Sequence, residues 1–127
     1  MKSRLLTISP ELFDEISKIS PILQLKASKA LANWALTQVS YMGTVPCTAK
    51  MAEEILANLD KEYFKLQGLN EVGKATDQEV LQAFSKARAI HSLLFSIHEE
   101  PLEAAYEAIM ATENISEACV IVKNIKA

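Results

Sequence analysis

The stretch that decides the fold is SPILQLKASKALANWALTQVSYM, Ser20 to Met42. Ser20-Pro21 opens it in the manner of a helix start. The serine hydroxyl can accept from a backbone N–H of the first turn, and proline there gives up an N–H that has no intrahelical partner. The polar residues that follow, Lys26, Lys29, Asn33, Thr37 and Ser40, are spaced 3, 4, 4 and 3 apart. That spacing makes one narrow stripe on a helix. Leucine, alanine, Trp34, Val39, Tyr41 and Met42 fill most of the remaining circumference. A helix apolar on nearly every side belongs at the centre of an all-helical fold.

Working outward, prolines and glycines fall at boundaries of periodic runs. Ser9-Pro10 opens a helix to about Ile19, with Leu12, Phe13, Ile16 and Ile19 as its apolar stripe. Gly43 is expected to end the central helix. A third helix begins near Pro46 or Thr48 and ends at Gln67, before Gly68. Its stripe is Met51, Ala52, Ile55, Leu56, Leu59, Tyr63 and Leu66. Thr76-Asp77-Gln78-Glu79 is a capping box that opens a fourth helix, to about His98. Pro101 starts a short fifth helix to about Ala111. Asn114-Ile115-Ser116-Glu117, a second capping box, starts a sixth to about Lys126. The expectation is an all-α bundle of five to six helices, three long and three short, over one domain spanning residues 1–127.

Half of the 127 residues are apolar and only 6% are aromatic, so the core is aliphatic and alanine-rich. Residues 30–49 carry no formal charge, but Asn33, Thr37, Gln38, Ser40, Gly43, Thr44, Pro46 and Thr48 make them too polar and broken for a membrane span. The basic, briefly apolar start is too short for a secretion signal. Cys47 and Cys119 form no CxxC pair and are expected to be reduced, which fits a cytoplasmic protein.

The chemistry-bearing motifs are sparse. No GxSxG, P-loop or GxGxxG is present, so no catalytic residue is assigned and no cofactor is expected. His91 and His98 lie about 10 Å apart along one helix, too far to share a metal. Neither follows a glutamate by three residues, and no metal ligand is assigned. His91 borders the core and is expected to donate to a carbonyl or water.

Charge is distributed unevenly. The net charge is −3, yet residues 1–50 hold Lys2, Arg4, Lys18, Lys26, Lys29 and Lys50 against Glu11, Asp14 and Glu15. From Ala89 to Val122 no lysine or arginine occurs, and Glu99, Glu100, Glu103, Glu107, Glu113 and Glu117 fall there. Glu99 or Glu100, Glu103 and Glu107 are three or four apart and share a helix face. Such a ridge has three readings. It is a solvated face, a docking surface for a basic protein, or a magnesium site that pairs Glu100-x-x-Glu103 with Glu11-x-x-Asp14. The acidic balance and the lack of a basic stripe exclude nucleic acid as a partner.

The leading expectation is a non-enzymatic protein that binds a basic protein partner through Glu99, Glu100, Glu103, Tyr106 and Glu107. By size and charge it fits a toxin-neutralising immunity protein or an adaptor. The alternatives are a magnesium-dependent enzyme acting on a phosphorylated metabolite, and a homodimer with a structural or regulatory role.

Overall fold

Seven α-helices occupy the described residues, 3–125, of the computed structural model: α1 (Arg4–Ile8), α2 (Pro10–Ser17), α3 (Pro21–Gln38), α4 (Ala49–Glu71), α5 (Asp77–Ile97), α6 (Pro101–Thr112) and α7 (Ile115–Ile125). No strand occurs among them. The class is all-α, with one helix more than the five to six expected. The extra element is α1. Five residues cannot hold a helix by propensity, so its stability comes from its ends and from what it packs against. The Ser3 hydroxyl accepts from the Leu5 N–H, the Ser9 N–H closes onto the Leu5 carbonyl, and the Leu5 side chain is fully buried. Lys126, the expected end of the last helix, and the Met1-Lys2 start lie outside the described residues.

The caps read from the sequence are in place. Ser9 and Ser20 accept from the N–H groups of Leu12 and Leu23. Thr76 and Glu79 make a complete capping box. At α7 the Asn114 side chain accepts from the Glu117 N–H, and the Glu117 carboxylate accepts from the Asn114 side-chain amide, not from its backbone as in a full box.

The glycines are used differently from the expectation. The α3 helix stops at Gln38, and Ser40 rather than Gly43 takes the left-handed conformation that closes it, at φ 55°. Gly43 serves the connection instead. The Tyr41 ring folds over it to donate to the Thr44 carbonyl at 2.7 Å, and a Cβ at Gly43 would lie 2.6 Å from the Tyr41 hydroxyl. Gly68 lies inside α4, three residues short of its end. The turn after α4 belongs to Gly73, at φ 75°, with Lys74 donating to the Leu69 carbonyl across it. The last turn of α4 can include Gly68 because helical φ/ψ is open to glycine, at a modest cost in chain entropy.

The α3 helix is central, as its composition demands. It packs on α5, α6 and α7. Helix α5 runs opposite to α3, with Ser28 against Ser96 at 3.1 Å. It also runs opposite to α6, where Ser92 donates to the Ala104 carbonyl at 2.6 Å. The facing surfaces are small: Ala27, Ala32, Ala35, Ala87, Ala89, Ala104, Ala105 and Ala108 are buried, and Leu31, Ile90, Leu93 and Ile109 fill between them. Alanine faces let helix axes approach closely, so backbone and Cβ atoms supply much of the close packing. Helices α1, α2 and α7 cover one side of this core. Helix α4 packs chiefly along α5. No helix is long and apolar enough to cross a membrane among the described residues.

Candidate functional site

The acidic ridge of α6 divides into two halves with different environments. Its inner half is built by the α5–α6 turn. Antiparallel packing brings Arg88 and His91 of α5 opposite Glu107 of α6, and α1 lays Arg4 across the same place. Glu107 is only 1% exposed, amid Ala104, Ala105, Ala108 and Ala111. Its carboxylate accepts from Arg88 at 3.3 Å and from Arg4 at 3.3 Å. Arg4 also donates from Nε to Glu103 at 3.0 Å and rests its guanidinium 4.1 Å above the Tyr106 ring. Asp60 of α4 approaches Arg88 at 3.8 Å. A carboxylate that deep requires such partners, because desolvating an unpaired charge costs several kcal/mol. Three of the expected partner-binding residues, Glu103, Tyr106 and Glu107, are therefore gathered around one intramolecular arginine.

His91 borders the core, as expected. Its Nδ1 lies 3.5 Å from a Glu107 oxygen but forms no hydrogen bond, and its ring stacks on Phe95 with centroids 4.5 Å apart. Burial holds its pKa below the ordinary imidazole value, against the pull of Glu107 and with the push of Arg88 and Arg4. Arg4 has its pKa raised. Desolvation opposes the rise, and the hydrogen bond and charge of Glu103, with Glu107, outweigh it.

The outer half of the ridge faces water. Glu99 and Glu100 are exposed, with no ion pair among the described residues. Glu99 adopts the left-handed conformation, at φ 59°, where Glu100 donates from its N–H back to the Phe95 carbonyl. Both follow the C-terminal end of α5, where the helix dipole disfavours an acid, and both precede α6, where it favours one. The same end of the bundle carries Glu53, whose carboxylate lies 3.9 Å from His98 Nε2. A groove of about 370 Å³ opens beside Glu100 and Glu103, walled by Pro101 and Leu102 and floored by Ser3, Ser17 and Gln24.

The two carboxylate pairs weighed for magnesium do not converge. Glu11 pairs with Lys123 of α7, Asp14 with Lys18, and Glu103 with Arg4. Among the described residues, no group of three or more His, Cys, Asp or Glu side chains is placed to hold a metal ion. Both cysteines are free thiols, Cys47 exposed and Cys119 buried.

The sequence does not show that Arg4, Asp60, Arg88 and His91 gather around Glu107. One signal was available. Glu107 sits between Ala104, Ala108 and Ala111 on a stripe of small residues that must turn inward, so a buried glutamate there demanded a cation. No family model, curated protein or solved structure matches the chain.

Proposed function

We propose that the chain is a non-catalytic binding protein that captures a basic segment of another protein at the end of the bundle where Glu53, Glu99 and Glu100 gather. The observation that carries this reading is the division of the ridge. Glu103 and Glu107 are neutralised by Arg4 and Arg88, whereas Glu99 and Glu100 keep their charge free in solvent. Unpaired acids of one sign steer a cationic partner and set its orientation. The groove beside Glu100 adds an apolar wall, Pro101 and Leu102, on which the aliphatic stem of a lysine or arginine would lie. The binding residues are thus Glu99 and Glu100, with Glu103 at the edge, while Tyr106 and Glu107 hold the surface in place from beneath. An immunity protein or an adaptor, working in the cytoplasm, is the role that fits.

The test is comparative capture from the native cell extract. Wild-type protein, the double variant Glu99→Lys/Glu100→Lys, and a control with Glu71→Lys at the far end of the molecule serve as baits at low and at physiological salt. A partner held by wild type and control, lost with the double variant and weakened by salt, supports the reading. A partner held equally by all three baits, or none held by any, sinks it.

A further inference from the structure

A second concavity borders the acidic end surface, where the last turn of α5 meets the segment leading into α4. The connection between α3 and α4 arches over the groove between α3 and α5 and leaves a cavity of about 320 Å³. Its floor is apolar: Leu93 and Ile97 of α5 and Pro46 of the connection, with Val45 at the lip. One wall is polar. Lys29 and Asn33, one turn apart on α3, are two members of the narrow polar stripe that marks this helix in the sequence. Ser96 and Cys47 complete the lining.

The polar wall stands at the open mouth of the cavity. Lys29 and Asn33 are exposed there, and neither the ammonium nor the side-chain amide has a hydrogen-bond or ion-pair partner among the described residues, so both are free to meet a ligand. Ser96 is engaged with Ser28, and the Cys47 thiol points at the Met51 sulfur, 3.8 Å away. An unneutralised cation and an amide N–H₂, side by side at the rim of an apolar cavity, match a carboxylate carried on an apolar body. The size is at the lower end of small-molecule sites, about 300–1,000 Å³. The Tyr41–Thr44 bond over Gly43 fixes the bend of the connection just before Val45 at the lip.

We infer that this cavity binds a small monocarboxylate with an aliphatic body, its carboxylate on Lys29 and Asn33 and its chain on Leu93, Ile97 and Pro46. The cavity uses none of the residues proposed above for the protein partner.

The Cys47 thiol in the lining gives a direct reporter. Its alkylation by iodoacetamide, followed by mass spectrometry, is measured with octanoate and, separately, with octanol, the buried Cys119 serving as the internal reference. Octanoate at ten times its dissociation constant is expected to slow Cys47 alkylation about tenfold. Octanol at the same concentration leaves the rate near that of the free protein. Lys29→Met raises the half-protecting octanoate concentration about tenfold or more, as for loss of a charge-assisted hydrogen bond. Lys26→Met, elsewhere on the stripe, leaves it unchanged. Absence of protection by millimolar octanoate overturns the proposal. So does equal protection by octanol, or full protection in the Lys29→Met protein, since either reduces the effect to partitioning of an apolar chain.

Discussion

Helices α4 and α6 both lie along α5, and they are held to it by different means. The α4 helix has 23 residues and fully buries one of them, Ala52. The α6 helix has 12 and buries Ala104, Ala105, Glu107, Ala108, Ile109 and Ala111. On α4 the stripe Ile55, Leu56, Leu59, Tyr63 and Leu66 is only half covered, and Phe64 remains 65% exposed. Length and a clean amphipathic stripe thus produced the peripheral helix, and small side chains produced the central one. Large residues on a helix with one neighbour keep part of their surface in water. Alanines between three neighbours lose all of theirs. The shorter helix is therefore the more completely enclosed, and a side chain removed from it leaves a cavity that water cannot readily fill.

The largest effect is expected where the inner helix depends on charge. Arg88→Met strips Glu107 of one of its two guanidinium partners while leaving it buried. The loss should be about 3–4 kcal/mol in urea unfolding, in the range for breaking one side of a buried pair. A loss below about 1 kcal/mol would mean that Arg4 alone suffices.

Paired truncations measure the contrast itself. Ile109→Ala on α6 should cost about 3 kcal/mol and Leu59→Ala on α4 about 1, since only the first leaves an enclosed cavity. Amide exchange should follow the same order, with the outer face of α4 opening well before α6. Equal costs would erase the distinction between the two helices.

A gain is expected at Gly68. It is helical and solvent-exposed, and a methyl group there would meet nothing within 4 Å. Gly68→Ala should raise stability by about 0.8 kcal/mol, read as a higher denaturation midpoint with an unchanged slope. A neutral or negative result would show that α4 uses the flexibility of Gly68.

The smallest effect concerns pH. Burial depresses the pKa of folded His91, so over the interval from that value up to the ordinary value near 6.5 the unfolded chain holds the proton more tightly. Stability should therefore fall as pH drops through this window, and His91→Asn should flatten that part of the profile. A profile identical in the variant would assign the acid sensitivity to other groups.

The difference between α4 and α6 also explains what the chain disclosed in advance. Helix starts are local, written in Ser9, Ser20, Thr76 and Asn114 within one turn of their targets, and they were legible. The C-terminal ends were less so. Ser40, Glu99 and Glu113, none of them glycine, take the left-handed conformations at the ends of α3, α5 and α6. There the N–H groups of Tyr41, Glu100 and Glu113 return to helix carbonyls, while Gly43 and Gly68 serve elsewhere. The α1 helix was invisible because its support, the burial of Leu5 and the Arg4–Glu103 pair, spans 99 residues of sequence. At the acidic ridge, the spacing of four placed Glu103 and Glu107 on one face, where they meet the same arginine, whereas Glu99 and Glu100 precede the helix and do not continue that face. Spacing alone could not tell that this face rolls inward at Glu107, although the flanking alanines pointed that way.

The buried hydroxyls have a consequence for how the core finds its stagger. Alanine meeting alanine presents a smooth surface, and one helix can slide past another by a residue with little change in area. Ser92 reaches the Ala104 carbonyl at one alignment only, and Ser28, which already donates to the Leu25 carbonyl of its own helix, meets the Ser96 hydroxyl at one alignment only. In a core this poor in large side chains, three serines act as a vernier, selecting the setting at which α3, α5 and α6 lock together.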